Sequence, residues 1–319
     1  MVSHVGRRRG SIGRMGGSVV RLGGRLAGVA GVVIGVTALT WLAMRVLRPS
    51  WFAGDARPVP AQLADYLRRD FLHFDLGRTF QPPQDRVSDV VRRSLPADLS
   101  LLAGGIAFGL AAGTAAGTYC AARRGTALAR ALEAAAAFFI FAPLYVVGTG
   151  LILLFGSDIA LVRIGVEIPR AYVPFGDRPL GWVGSLAVPW ALVGLPLAAL
   201  LLRLTRTSVS SVLGEDYVVT ASAKGLDERT VLRRHVVRAA AAPVISATGM
   251  TVNLTITNVV LIEAVFGIPG VFGRMKDAIA YGDFPMLMGI TIVGAALIAL
   301  GNLLADVALA RLDPRVRRS

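Results

Sequence analysis

Six stretches of this chain stay apolar for about twenty residues at a time, the length that a helix rising 1.5 Å per residue needs to cross a hydrocarbon core about 30 Å thick. They run approximately Ala27–Leu47, Leu99–Ala122, Ala134–Phe155, Val183–Leu202, Pro243–Val265 and Pro285–Leu309. Five hold no Lys or Arg, and Arg45 lies near the end of the first, where a long side chain can snorkel. With 54% hydrophobic residues and a mean hydropathy of +0.62, the chain is too apolar for an ordinary water-soluble domain. The expected fold is an all-α integral membrane protein with about six transmembrane helices. It divides into a tail 1–26, a first helix 27–47, an external loop 48–98 and a core 99–319 with five helices and a polar loop at 203–242. The first stretch follows a long tail and ends without a small-x-small cleavage site, so it is expected to be a retained helix.

The net charge of +14 would suggest nucleic acid in a soluble protein, but here its placement decides. With the amino terminus in the cytoplasm, segments 1–26, 123–133, 203–242 and 310–319 carry 20 of the 34 basic residues and six acids. Segments 48–98, 156–182 and 266–284 carry 13 basic and 12 acidic residues. The charge therefore falls on one side, and both termini are expected in the cytoplasm, the chain crossing the membrane many times. The tail, with Arg7, Arg8, Arg9, Arg14, Arg21 and Arg25, reads as a topology signal with some attraction to anionic lipid and not as a nucleic-acid site. Trp41, Trp51 and Trp182 are expected in an interfacial aromatic belt. Residues Pro60–Phe74 are expected to form a short surface helix with Tyr66, Leu67, Phe71 and Leu72 as its apolar side.

The stretches themselves say more. Gly105, Gly109, Gly113 and Gly117 recur every four residues, share one helix face and let a neighbouring backbone approach closely; the same face could slide in a gating motion. Pro143, Pro189 and Pro196 fall inside the third and fourth stretches, as kinked helices around a cavity or ordinary bundle packing would both allow. The fifth contains Thr251, Asn253, Thr255, Thr257 and Asn258, too many polar groups to face lipid. Thr251, Thr255 and Asn258 share one face, and Asn253 and Thr257 another; part of this set is expected to line a solute pathway, with plain interhelical hydrogen bonding as the other reading. Glu263 sits at the outer end of that stretch and Asp306 near the inner end of the sixth, leaving no ionisable group at the membrane midplane. A proton-coupled secondary transporter, the alternative function for such a chain, usually needs one there.

Catalytic signatures are absent. A lone Cys120 and the dispersed His4, His73 and His235 offer no metal set, and no His-Glu-x-x-His, Gly-x-Ser-x-Gly or phosphate-binding Gly-x-x-x-x-Gly-Lys-Ser/Thr pattern occurs. If ATP drives this protein, another chain must bind it.

Between the fourth and fifth stretches lies a 40-residue cytoplasmic segment containing EDYVVTASAKGLDERTVLRRHVVRAAAAPVIS. Its pattern is helix, break, helix. Tyr217 and Ala221 line a first helix that Gly225 can end in a left-handed conformation, and Asp227 can cap a second helix through Val231, Leu232 and Val236. A polar elbow of this kind is a natural surface for another protein to push on.

This segment resembles that of the inner-membrane permeases of ATP-binding-cassette importers of the dipeptide, oligopeptide and nickel group. The likeness rests on Asp216, Tyr217, Thr220, Ala221, Ala223, Lys224, Gly225 and Leu226, then Val231, His235, Arg238 and Pro243. It continues through Glu263-Ala-Val-Phe-Gly-Ile-Pro-Gly270, Asp283-Phe-Pro285, Gly289, Asn302-Leu-x-x-Asp306 and Asp313-Pro-Arg-Val-Arg317. Asp75-Leu-Gly-Arg78 before the second stretch is similar to the first of the two paired permeases. The family's usual Pro-Gly-Asp-Pro after the first helix is replaced by Arg48-Pro49-Ser50. The resemblance implies a type I importer transmembrane domain with no catalytic residue and no cofactor of its own. It implies ATP and Mg on two cytoplasmic ATPase subunits, a second homologous permease, and an extracytoplasmic binding protein that delivers di- or oligopeptides. Residues 215–235 would sit in a groove of an ATPase, with Gly225 holding the elbow and Tyr217, Ala221 and Leu226 in apolar contact.

Overall fold

Long helices dominate the computed structural model, which describes residues 9–156, 169, 172–213, 215–216 and 255–312, without the side chains of 9–22, 305–306 and 308–312. The helices are α1 (Arg9–Leu47), α2 (Val59–Leu72), α3 (Val87–Ala122), α4 (Ala127–Phe141), α5 (Leu144–Phe155), α6 (Pro179–Leu213), α7 (Thr255–Phe266), α8 (Met275–Ala280) and α9 (Phe284–Leu312). Among the described residues there is no β-strand, and Arg78 and Arg86 form an isolated bridge. Four helices, α1, α3, α6 and α9, contain segments long and apolar enough to cross a membrane. The fifth expected stretch is described only from Thr255 onward, as α7.

The third expected stretch is not one continuous helix. α4 and α5 meet at 112°. Ala142, which precedes Pro143, is extended (φ −64°, ψ 130°), and Pro143 caps α5 instead of continuing α4. Proline disfavours the helical region for the residue before it and has no N–H to donate, so the chain turns where a straight helix would have run on. Pro189 and Pro196, by contrast, stay inside an unbroken α6.

The central contact joins α3 to α6. Gly105, Gly109, Gly113 and Gly117 are all buried and face Val193, Gly194, Leu197, Ala198, Leu201 and Leu202. A Cβ on Gly113 would lie 2.6 Å from the Ala198 carbonyl oxygen, and one on Gly117 would lie 2.6 Å from that of Leu202. A Cβ on Gly109 would lie 2.9 Å from the carbonyl oxygen of Gly194, which has no side chain on the opposing helix. The two backbones are therefore in direct contact, and the four-residue repeat is a packing seam.

At one end of this pair, Val87, Leu101, Leu186, Ile262, Val271 and Phe272 form one buried cluster joining α3, α6, α7 and the turn after α7. At the other end the Thr126 hydroxyl caps α4 by accepting from Ala129 N–H at 3.2 Å. Glu133 on α4 pairs with Arg206 on α6 at 3.1 Å. α1 lies along α9, with Val33 buried against Ala295 and Ala299, and the Thr37 hydroxyl donates to its own helix at Val33 O. Leu39, Leu47, Phe138, Phe141 and Leu304 remain well exposed on the outside. Large apolar side chains left outside a folded chain suit lipid or a partner helix.

Two details differ from the expected belt and surface helix. Trp41 is buried against Phe52, Tyr66 and Met288 instead of standing at the interface, because α2 folds back over it. Arg45 stacks over Trp41 and Phe52 and donates to Gln62 Oε1 at 2.8 Å. Consequently the buried face of α2 is Gln62, Tyr66 and Asp70, spaced four apart, while Leu72 is exposed.

Replacing Gly113 with Leu would force a branched side chain into backbone, so it is expected to destabilise the chain by about 1–3 kcal/mol. Gly150→Ala, where nothing lies within 4 Å of the added methyl, is expected to be neutral or slightly stabilising. Thermal unfolding of the detergent-solubilised protein checks both.

Candidate functional site

Two regions carry the residues singled out from sequence, and they lie at opposite ends of the α3–α6 pair. The first is the expected ATPase-facing elbow. α6 runs beyond Leu202 to Leu213 as continuous helix, so the first part of the polar loop extends α6 and is braced to α4 by the Arg206–Glu133 pair. Asp216 follows directly. Tyr217, Thr220, Ala221, Ala223, Lys224, Gly225 and Leu226 lie outside the described residues, as do Thr251 and Asn253 of the pathway set. Of the remaining pathway residues, Thr255 is buried on α7 beside Ile256 and Val259, Asn258 is half-buried and Thr257 is exposed.

The second region is a platform at the far end, where motifs distant in sequence converge. Asp283 is fully buried at the start of α9. Its Oδ2 accepts from the Thr79 hydroxyl and from Phe80 N–H at 2.9 Å, and its Oδ1 accepts from Met286 N–H at 3.2 Å. One carboxylate thus caps α9 and holds the segment after Asp75-Leu-Gly-Arg78. Gly77, at φ +78°, makes the turn that brings its carbonyl to Val87 N–H at 3.0 Å and sets it against Pro285. Only glycine adopts that left-handed conformation cheaply. Gly289 faces Val87 across α9 and α3.

The Glu263–Gly270 motif folds around its own first residue. Ile268 N–H donates to the Glu263 carbonyl at 3.1 Å, and Gly273 N–H donates to Glu263 Oε2 at 2.7 Å. The backbone of Gly270 presses against the Glu263 carboxyl group so closely that a side chain at 270 would overlap it. Asp98 comes in from α3, with Oδ2 accepting from Val271 N–H at 2.9 Å. Sequence reasoning assigned Asp98 to the external segment because it is charged and borders an apolar stretch. Its burial depends on a partner found only far along the chain.

A cavity of about 410 Å³ opens between the end of α1, α2 and the start of α9, lined among others by Trp41, Trp51, Tyr66, Arg57 and Phe284. Its charged groups are mostly engaged with one another: Arg57 pairs with Asp55 at 2.8 Å and with Asp65 at 3.1 Å. The Arg57 guanidinium holds the Asp55 carboxyl down to about 2. Asp70 differs, because its Oδ2 is buried and accepts no donor, and burial pushes its carboxyl up to about 6. Among the described residues no group of His, Cys, Asp and Glu has the arrangement of a metal site.

Residues 113–318 match the family described as the inner membrane component of binding-protein-dependent transport systems. A peptide transport system permease protein of Brucella abortus is 31% identical over 261 residues, covering 82% of this chain and 81% of its own. A peptide permease protein of Brucella suis is 31% identical over 286 residues, covering 88% and 86%. The dipeptide transport system permease protein DppB of Bacillus subtilis is 29% identical over 300 residues, covering 88% and 92%. The chain belongs to the binding-protein-dependent family of inner-membrane transport components, and it is a permease of the ATP-binding-cassette importer class.

Two outcomes are expected at the platform. Asp283→Ala removes the acceptor for three donors, so amide hydrogen exchange at Phe80 and Met286 should accelerate by about 5- to 100-fold, the equivalent of about 1–3 kcal/mol. For Asp70, the folded chain keeps a proton between about pH 4 and about 6 that the unfolded chain has released, so this residue's share of stability falls as pH rises through that window. Asp70→Asn is expected to flatten that part of the profile of unfolding temperature against pH.

Proposed function

We propose that this chain is one of two permeases in an ATP-driven importer of di- or oligopeptides in a bacterial inner membrane, working with two cytoplasmic ATPases and an extracytoplasmic binding protein. The observation that carries the cargo is the name shared by the relatives above, each matched over more than four fifths of this chain. Six membrane crossings with both termini in the cytoplasm fit the one-sided charge, and the odd number of external segments follows from that count.

ATP and Mg bind the ATPases in this scheme, and this chain's part is mechanical. Closure of the ATPases pushes on residues 215–235, where Gly225 holds the elbow and Tyr217, Ala221 and Leu226 give apolar contact. The push enters the end of α6, a 35-residue helix in backbone contact with α3, so the pair moves as one body. Thr251, Asn253, Thr255, Thr257 and Asn258 are offered as the pathway set. The exposure of Thr257, beside the half-buried Asn258, favours a face turned to the second permease or to the solute.

The coupling step is tested with the whole transporter in proteoliposomes. Gly225→Asp is expected to leave membrane insertion and assembly intact while ATP hydrolysis stops responding to the loaded binding protein. Wild-type stimulation in that variant would overturn the elbow assignment. Mass spectrometry of the ligand copurifying with the binding protein tests the cargo separately, and a non-peptide there would overturn the peptide reading alone.

A further inference from the structure

Asp98 and Glu263 form a buried pair that the transport reading does not use. Each is only 1% exposed. One oxygen of each is satisfied by the backbone of the same turn, Asp98 Oδ2 by Val271 N–H and Glu263 Oε2 by Gly273 N–H. The other two oxygens, Asp98 Oδ1 and Glu263 Oε1, are buried and receive no donor. Val271 and Gly273 are two residues apart, so one short turn draws both carboxyl groups to the same buried place.

Among the described residues no cation pairs with either carboxyl group. Among the described residues, α5 carries no acid or base beyond the Tyr145 hydroxyl, and α9 carries none from Phe284 to Leu304. Arg203 and Arg206 of α6 belong to the opposite end of that helix. Arg93, the basic residue nearest in sequence, is exposed and pairs with Asp85, and Arg92, Arg274 and Lys276 are exposed as well. The backbone of Gly270 closes the remaining approach to Glu263. Two ionised carboxylates in contact without a counter-charge repel each other and each forfeits its hydration. A carboxylic acid is a donor, so a single proton would satisfy both orphaned oxygens at once.

We propose that Asp98 and Glu263 are a proton-binding site, in which one shared proton latches the outer end of α3 to the 263–273 turn. The latch is a strong hydrogen bond between an acid and a carboxylate. It joins α3 to the end of α7, and removing the proton releases the turn by repulsion between Asp98 and Glu263. The folded chain then holds one proton that the unfolded chain releases above the ordinary carboxyl range, so this contribution to stability declines as pH rises.

The test uses the assembled transporter in lipid nanodiscs. Infrared spectroscopy near neutral pH is expected to show the C=O stretch of one protonated carboxyl, shifted in D2O and lost in both Asp98→Asn and Glu263→Gln. An amide at position 98 supplies a permanent N–H donor to Glu263, so Asp98→Asn should fold and lose the alkaline decline in unfolding temperature that the wild type shows. Absence of the protonated-carboxyl band in the wild type overturns the proposal. So does a folded Asp98→Asn with the wild-type pH profile. If Glu263→Gln does not fold, the wild-type band and the Asp98→Asn profile still decide, and neither readout depends on which solute is carried.

Discussion

Gly109 of α3 and Gly194 of α6 have no side chains, and the helices approach until a carbonyl of one touches the backbone of the other. In lipid, where apolar side chains gain little by leaving one apolar medium for another, such contact supplies the dispersion that holds helices together. α4, α7 and the turn after α7 are arranged on this pair, while α1 and α2 pack on α9. α4 is fixed to the C-terminal part of α6 by Arg206 and Glu133, and the 263–273 turn is fixed to the N-terminal part of α3 by Asp98. A helix pair in backbone contact cannot shear without passing carbonyls over one another. A displacement at the end of α6 is therefore carried toward the platform instead of being absorbed in side-chain rotamers.

The platform shows how a small number of buried carboxylates can organise backbone. Asp283 gathers Thr79, Phe80 and Met286, while Asp98 and Glu263 gather Val271 and Gly273. Each is an acceptor placed where three or fewer chain segments would otherwise leave N–H groups without partners, and an unmade buried hydrogen bond is more costly than a made one is favourable. The glycines around them, Gly77 and Gly270, are there because one needs a left-handed turn and the other must leave room for a carboxyl group.

Much of this was legible in advance. The apolar stretches, the glycine seam and the family motifs could be read along the chain because each depends on neighbours within a few turns. The break at Pro143 was less legible: a proline in an apolar run can bend a helix slightly, as Pro189 and Pro196 permit, or end it, and the choice depends on whether the following residues find packing in a new direction. The burial of Trp41 and Asp98 was hidden for the same reason. Average behaviour sends a tryptophan to the interface and a carboxylate to water, and only Tyr66 and Phe52 in one case, and the Val271 N–H in the other, supply partners for burial.

Sequence by itself determined that the chain lives in a membrane and which family it belongs to by pattern. These follow from hydropathy, charge and short-range spacing, which are additive along the chain. Tertiary structure decided which polar groups are buried together, because a hydrogen bond between Asp98 and Val271 joins positions 173 residues apart and leaves no periodic trace. The apolar stretches named the medium. The contacts between them named the two carboxyl groups that must share what neither can hold alone.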